Sequence, residues 1–217
     1  GEKVTYRPFL VKEQKILMMA QESSDESNMI RAIGDIVKSC TFGKIDRPHD
    51  MPTFDLEYMF LMIRAKSVGS EIELKVTCPD DAETVVDHKI NLDDIKVQNT
   101  EGHTNQVMLT DDIGIEMRYP TMDMVRGFAL ENAKQTELSF ELIRKTIKSV
   151  FDKEQVYDEM SAKDLDVFIE QMNTEQFEKI SNFYETMPKL SHTVNVTNPN
   201  TGVENKIVLE GLQSFLE

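Results

Sequence analysis

Apolar side chains recur every three or four positions in three stretches of the N-terminal third, a spacing that predicts amphipathic helices. The first helix is expected over 11–22, and its apolar stripe consists of Leu10, Ile16, Leu17 and Ala20. A second follows the cluster Ser23-Ser24-Asp25, whose side chains can cap a helix N-terminus, and extends to Cys40. A third is predicted over 54–66, and Gly69 is placed to end it.

Strict alternation of apolar and polar residues follows, which is typical of a half-buried strand. Ile72, Leu74 and Val76 are the apolar members, and the turn Pro79-Asp80-Asp81 leads to a returning strand over 85–92. A second strand pair is predicted over 106–110 and 113–118, around Asp111-Asp112 and Gly114.

Helical spacing returns after residue 120 and predicts helices over 121–132 and 136–151. The inward positions are Val125, Phe128 and Ala129 in the first helix, and Phe140, Ile143, Ile147 and Val150 in the second. Ser161 is placed to cap a third helix, and Asn173 with Gln176 forms a capping box for a fourth.

Together these elements predict an α+β fold: a mainly helical body of six or seven helices with two or three β-hairpins. The last hairpin is expected over 191–196 and 203–209, turned at Asn198-Pro199-Asn200. The length of 217 residues allows one domain or two small ones. The division is predicted between 1–118 and 119–217, unless the chain forms one integrated domain.

Two segments resemble each other at a separation of 120 residues: 76–81 (VTCPDD) and 196–201 (VTNPNT). Downstream, 90–95 (INLDDI) is echoed by 207–212 (IVLEGL) at a separation of 117 residues. Either hairpins with a proline turn are alike by chance, or a helix-plus-hairpin unit is duplicated. A duplicated unit would present a β-ribbon whose exposed edge can accept a strand from a partner.

The repeated turn has the shape of a degenerate zinc ribbon. Zinc ribbons need two Cys-x-x-Cys turns, because tetrahedral zinc takes four ligands of this kind. Here Cys78 and Asp81 occupy the ligand positions of the first turn, and Asn198 and Thr201 occupy those of the second. One thiolate cannot assemble such a site, even with His88 recruited, so no metal ligands are predicted.

Charge narrows the classes of partner. Asp and Glu number 39 against 24 Lys and Arg, a formal net charge of −15. A nucleic-acid binder needs cations to neutralise phosphates, so DNA, RNA and anionic membranes are poor partners. The charge is compatible with a basic protein partner and equally with plain solubility. Cys40 and Cys78 show no disulfide or metal spacing, which fits a reducing cytosol.

Catalytic signatures are missing from the sequence: it has no G-x-S-x-G elbow, phosphate loop, G-x-G-x-x-G or H-E-x-x-H. His49, His88, His103 and His192 are scattered and are interpreted as solvated or hydrogen-bonded loop residues. We therefore predict a protein that is not an enzyme and binds no cofactor. The 13 methionines either fill the core or form a face that adapts to several partners.

Three segments resemble the baseplate hub protein family of T-even-type, contractile-tailed bacteriophages. They are 6–17 (YRPFLVKEQKIL), 55–69 (DLEYMFLMIRAKSVG) with the hairpin after it, and 209–216 (LEGLQSFL). The resemblance is strongest over residues 1–95 and implies a hub subunit or hub assembly factor without catalytic residues. It implies hub or tail proteins as partners, with a homo-oligomer as an option, and a location in the host cytoplasm during assembly or in the virion baseplate.

The same resemblance implies interface residues within the first two segments. The candidates are Arg7, Phe9, Lys12, Glu13 and Lys15 in the first, and Tyr58, Phe60, Arg64 and Lys66 in the second. Phe9 and Phe60 also suit a core, and cations near a helix C-terminus are favourable without a partner. Three alternative functions stay open: a transient hub-assembly chaperone absent from the mature virion, an acidic inhibitor of a basic host protein or nucleic-acid mimic, and a hydrolase or metal-dependent enzyme of phage metabolism.

Overall fold

The structure, a computed structural model, describes residues 3–23, 26–126 and 134–216. The chain folds as two compact units, Gly1–Gln98 with Pro188–Glu217, and Asn99–Met187. These bounds differ from the predicted division at residue 118. The last hairpin belongs to the first unit, because one of its strands pairs with residues 96–98.

In the described part, seven α-helices and nine strands form an α+β fold, as predicted. The helices are α1 (Val11–Glu22), α2 (Glu26–Cys40), α3 (Thr53–Val68), α4 (Met122–Val125), α5 (Gln135–Thr146), α6 (Ala162–Glu170) and α7 (Thr174–Thr186). The strands are β1 (Glu71–Thr77), β2 (Val85–Asn91), β3 (Lys96–Gln98), β4 (Gln106–Met108), β5 (Gly114–Met117), β6 (Ile147–Phe151), β7 (Val156–Tyr157), β8 (Lys189–Thr197) and β9 (Glu204–Glu210).

Helix caps follow the predicted side chains where the structure describes them. Ser161 Oγ accepts the Asp164 N–H at 3.2 Å before α6. Before α7, Asn173 and Gln176 bond each other's backbone N–H at 2.9 and 3.0 Å, which confirms the capping box. The N-cap expected at Ser24 and Asp25 lies outside the described residues, as do Phe128 and Ala129 of the helix predicted over 121–132.

The first unit combines α1, α2 and α3 with two small sheets. One sheet is the hairpin β1–β2, and the other has the antiparallel order β3-β8-β9. α3 packs on β3 and β8. The core is supplied by apolar positions of α2 and α3 and by the inward residues of the strands. Its fully enclosed apolar members are Ile36, Val37, Cys40, Leu56, Phe60, Leu61 and Ile63 of these two helices, and Cys78, Leu92, Ile95 and Phe215 of the segments next to the strands.

The second unit contains an antiparallel sheet of order β4-β5-β6-β7 covered by helices. Its core joins apolar residues of β4 to β6 with those of α5, α6 and α7. The members are Leu109, Ile115, Met117, Ile143, Ile147, Val150, Ile169, Ile180 and Phe183. α7 therefore lies on the core side of the sheet, close to β4.

The helix predicted over 136–151 is wrong in its last third. α5 ends at Thr146, and Ile147–Phe151 forms β6, where Val150 pairs with Ile115 of β5. Ile147 and Val150 are β-branched and suit either element. Periodicity within the segment cannot report a neighbouring strand, so the pairing with β5 decided the conformation.

The two repeated hairpins share their turn geometry. Ala82 N–H donates to the Cys78 carbonyl at 2.9 Å, and Gly202 N–H donates to the Asn198 carbonyl at 2.8 Å, again 120 residues apart. Ala82 and Gly202 both have positive φ, 57° and 75°. Seven residues, 78–84, separate the first pair of strands, whereas six, 198–203, separate the second.

The shorter second turn changes the alignment of the returning strands. Thr77 pairs with Val85, and Thr197 pairs with Glu204. Equivalent positions of β2 and β9 are therefore 119 residues apart, not 120. The match of 90–95 with 207–212 is therefore two residues out of register. A shift of two keeps the same strand face, and Ile90 and Leu209 are both buried. The helix before the second hairpin, α7, belongs to the other unit.

Candidate interaction surface on the first unit

The N-terminal segment before α1 lies against α2 and α3. Arg7 N–H donates to the Cys40 carbonyl at 3.0 Å, and Phe9 N–H donates to Ser67 Oγ at 2.7 Å. The Phe9 ring packs on the Phe60 ring with centroids 5.9 Å apart. The two motifs that carry the family resemblance are thus brought together in one part of the first unit.

A shielded ion pair joins Arg7 to Glu13. Arg7 Nη2 lies 2.9 Å from Glu13 Oε1, and Ser39 Oγ donates to the same oxygen at 2.7 Å. Glu13 Oε2 accepts the Leu10 N–H at 2.7 Å, so the carboxylate also caps the first turn of α1. The Glu13 side chain is only 1% exposed. Charge-assisted hydrogen bonds to both oxygens fix how α1 is joined to the rest of the unit.

Glu13 is ionised despite this burial. Burial raises the pKa of its carboxyl, but hydrogen bonds from Arg7, Ser39 and the Leu10 N–H outweigh that effect and lower the pKa to about 2. The pKa of Arg7 is raised in turn, chiefly by its hydrogen bond to Glu13. Both groups are therefore charged at neutral pH, and their role is to hold the base of α1.

α1 exposes two neighbouring stripes of apolar and basic residues, each spaced i, i+4 and i+7 along the helix. One consists of Val11, Lys15 and Met18, and the other of Lys12, Ile16 and Met19. Val11 is 83% exposed, and the two methionines are more than half exposed. We refer to these six residues as the α1 outer face.

The predicted inward stripe of α1 is wrong at Leu10 and Ile16, which are 52% and 40% exposed. The helix lies against α2, with Glu13 and Ala20 buried and Leu17 half-buried. Apolar residues lie on all sides of α1, so periodicity alone does not indicate which face is buried. Val11 and Ile16 of the outer face were not predicted from the sequence, whereas Met18 and Met19 belong to the methionines for which a partner-facing role was left open.

A groove of about 360 Å³ runs between α1 and α2 beside the outer face. Ile16, Met19 and Ala20 line it from α1, and Arg31 and Ala32 line it from α2. A mostly apolar groove next to exposed apolar side chains offers a continuous surface that a partner can cover.

The α3 motif contributes mainly packing. Phe60 is fully buried, and Tyr58 is half-buried. Burial lowers the pKa of Arg64, whose Nη1 has no hydrogen-bond partner among the described residues. Lys66 is exposed, with its Nζ 5.0 Å from the centroid of the Tyr6 ring.

The nine predicted interface residues thus fall into three groups by exposure, and Arg7, Phe9, Tyr58 and Arg64 form the half-buried group. Lys12, Lys15 and Lys66 are exposed, and the first two belong to the outer face. Glu13 and Phe60 are enclosed, so they hold the surface in place rather than form part of it.

The two repeated turns meet in a hydrogen-bonded cluster. Asn198, which is fully buried, donates through Nδ2 to Asp80 Oδ1 and to Asp81 Oδ2, both at 2.9 Å. Asn205 Nδ2 also donates to Asp80 Oδ1 at 2.9 Å, and Asn200 Nδ2 donates to Thr84 Oγ1 at 2.9 Å. We refer to this arrangement as the tip cluster. It joins the turn of hairpin β1–β2 to the turn of hairpin β8–β9, which are about 120 residues apart in the sequence.

In the tip cluster, side-chain hydrogen bonds from Asn198 and Asn205 satisfy the carboxylates of Asp80 and Asp81. The pKa of Asp80 is lowered, chiefly by its hydrogen bond from Asn198, and that of Asp81 is lowered chiefly by hydrogen bonds from Thr84. Burial raises the pKa of the Cys78 thiol. Across residues 3–23, 26–126 and 134–216, no group of three His, Cys, Asp or Glu is placed to hold a metal ion.

A family model described as T4 bacteriophage base plate protein matches residues 1–217. The chain belongs to this family. No curated protein and no solved structure matches it. Membership of the T4 base plate family confirms the resemblance to a T-even-type baseplate protein that the motifs indicated.

Membership of the T4 base plate family implies contacts with other phage baseplate proteins and a location in the virion tail. It also suggests a structural role. Within the described ranges, no helix is both long enough and apolar enough to cross a bilayer.

Proposed function

We propose that this T4 base plate family member is a non-enzymatic component of the central hub of the tail baseplate, and that it acts through protein–protein contacts made by the α1 outer face. The observation that carries the proposal is the exposure of four apolar side chains on a helix whose base is fixed by Arg7 and Glu13. Contiguous exposed apolar surface of this kind marks interaction sites in soluble proteins.

The outer face also indicates the chemistry of its partner. Its apolar residues are flanked by Lys12 and Lys15, which is the pattern of an amphipathic helix that enters a groove on another protein. Met18 and Met19 are flexible and adapt to irregular surfaces. The partner surface is therefore an apolar groove with an acidic rim on another hub or tail protein.

Complementation of a phage that lacks the gene tests the proposal. Wild-type protein restores tail assembly, whereas the double variant Val11→Asp/Met18→Asp is expected to stay folded by circular dichroism and fail to restore it. The matched control is Val167→Asp, because Val167 is 44% exposed on α6 in the other unit. Full complementation by the double variant would remove the outer face from the proposal. Normal tails in the phage without the gene would end the hub proposal itself.

Two forms of the hub role are separated by the protein content of purified particles. A stable subunit is present in finished tails in a fixed ratio to the other hub proteins. A transient assembly chaperone copurifies with hub precursors and is missing from finished tails. Capture of a basic host protein instead of tail proteins, lost at high salt, would favour the acidic inhibitor.

A further inference from the structure

The second unit contains a groove of about 600 Å³ between β4 and α7. Gln106, Val107 and Met108 line it from the strand. The helix contributes Glu175, Glu178, Lys179, Asn182, Phe183 and Thr186. All of these residues belong to Asn99–Met187, so the groove is independent of the α1 outer face.

β4 is an edge strand, and its three residues line this groove. The Asn105 carbonyl accepts the Met117 N–H at 2.7 Å, and Leu109 N–H donates to the Ile113 carbonyl at 2.9 Å. Antiparallel pairing alternates along a strand, so the backbone groups of Gln106 and Met108 point away from β5. Both residues are exposed, Met108 to 46%.

No strand covers the outer side of β4 in the part of the chain that the structure describes. The Gln106 N–H donates to Thr104 Oγ1 at 3.2 Å, a contact that another acceptor can replace. Proteins usually protect an open edge with a charged residue, a proline or a covering segment. Gln106–Met108 contains neither a charge nor a proline.

The groove is acidic at its rim and apolar at its floor. Glu101, Glu175 and Glu178 supply three carboxylates. Lys179 is the lysine of the lining; its Nζ donates to the Leu109 carbonyl at 3.0 Å and lies 3.4 Å from Glu175 Oε1. Glu101 and Glu178 are the rim carboxylates that Lys179 does not pair with. The Phe183 ring, 2% exposed, lies beneath.

His103 makes one wall of the groove rigid. Its Nδ1 lies 2.9 Å from Thr186 Oγ1, and its ring packs on Tyr119 and Phe183 with centroids 5.7 and 5.1 Å away. A rigid wall loses little conformational entropy when a ligand binds, which favours binding of an extended segment.

We propose that β4 and α7 form a second docking site, which accepts an extended, basic segment of a partner protein as an additional strand beside β4. The segment's backbone pairs with the outward groups of Gln106 and Met108. Alternate side chains of the added strand lie over α7, where Lys or Arg meets Glu178 and competes with Lys179 for Glu175. The charge of the rim selects this occupant over an acidic one.

Binding of synthetic decapeptides to the full-length protein tests the docking site. The probe alternates Lys and Val, and the comparison peptide alternates Glu and Val. We expect saturable binding of the Lys/Val peptide alone, with affinity falling as salt is raised. Amide NMR shifts are expected at Gln106–Met108 and along α7.

Substitutions in β4 and in α7 distinguish the contribution of backbone pairing from the contribution of the acidic rim. Met108→Pro removes an outward N–H that the β5 ladder does not use, as edge strands tolerate, and should abolish binding. Glu175→Gln/Glu178→Gln should weaken binding roughly fivefold at low salt. Glu185→Gln, on the same helix but outside the groove lining, should leave it unchanged.

N-methylated peptides keep the test decisive if Met108→Pro does not fold. Methylation of the alternate amides that face β4 should abolish binding, whereas methylation of the other set should not. Binding that tolerates both sets would overturn strand addition. Equal binding of the Glu/Val peptide, or shifts confined to α1, would overturn the site. If the protein self-associates and Met108→Pro abolishes that association, the ligand of the β4 edge is a second copy of the chain and the proposal of a basic partner segment is wrong.

Discussion

Arg7 Nη2 lies 2.9 Å from Glu13 Oε1, and the two residues join the extended segment before α1 to the first turn of that helix. Ser39 Oγ, near the end of α2, donates to the same carboxylate. α1 buries only Glu13 and Ala20. This pair, rather than an apolar seam, is therefore the main attachment of the helix that carries the proposed interaction surface.

Removing the carboxylate should loosen that attachment. We expect Glu13→Ala to lower the free energy of unfolding by about 2 kcal/mol, because it leaves the Arg7 guanidinium and the Leu10 N–H without their acceptor. Glu22→Ala, an exposed position on the same helix, should change it by less than about 0.5 kcal/mol. Urea denaturation followed by circular dichroism measures both. Equal effects at the two positions would contradict a role for the ion pair.

The stabilising effect of Glu13 should depend on pH. Its pKa is lowered from 4.5 to about 2 in the folded protein. A lowered folded pKa contributes stability that is complete above the unfolded pKa and is lost as pH falls through the folded value. The difference in unfolding free energy between wild type and Glu13→Gln should therefore shrink from about pH 4.5 to about pH 2. Urea titrations of both proteins across this window measure it, and a constant difference would count against the assignment.

The stability that the tip cluster contributes should depend on the side-chain amide of Asn198. Asn198→Ala removes the donor to Asp80 and Asp81 and the acceptor for Asn200 N–H, which is 2.8 Å away. We expect a loss of about 2 kcal/mol of unfolding free energy, since buried polar partners are left unpaired. Asn195→Ala, exposed on β8, is the control and should be nearly neutral. A neutral Asn198→Ala in thermal or urea unfolding would show that the hairpins meet without this contact.

Gly34 of α2 makes room for the ring of His49. A Cβ built at Gly34 would lie 2.3 Å from His49 Cε1 and Nε2. In an ordinary helix interior Gly→Ala stabilises by about 1 kcal/mol, but here Gly34→Ala should destabilise by roughly 1–2 kcal/mol because the ring must move.

A double-mutant cycle isolates the clash. In a His49→Ala background, Gly34→Ala should become stabilising by up to about 1 kcal/mol. Thermal unfolding of the four proteins gives the coupling. Destabilisation by Gly34→Ala of the same size in both backgrounds would place the cause outside this contact.

Local signals predicted most helix and strand positions. The spacing of Ile33, Ile36 and Val37 located α2, and alternation at Leu74 and Val76 located β1. These predictions succeeded because one face of each element is buried, and periodicity reports that face directly. The capping box at Asn173 and Gln176 is likewise a local arrangement that needs no tertiary contact.

The wrong predictions share one cause. Ile147 and Val150 continue the helical spacing of α5, yet their partners are residues of β5. Ile16 was predicted to be buried on α1. It is exposed because the Arg7–Glu13 pair orients the helix with a different side toward α2. In both cases the deciding neighbour is distant in sequence, so a single-segment pattern does not contain it.

The amino-acid sequence by itself determined the α+β class, the repeated hairpin turns and the resemblance that the family match confirms, because each rests on local spacing or on contiguous motifs. Only the tertiary structure decided that Asn198 meets Asp80 and Asp81, that the last hairpin belongs to the first unit, and that α1 and β4 present open surfaces. Those features depend on which distant segments pack together, and burial is a property of the packed chain rather than of any one segment.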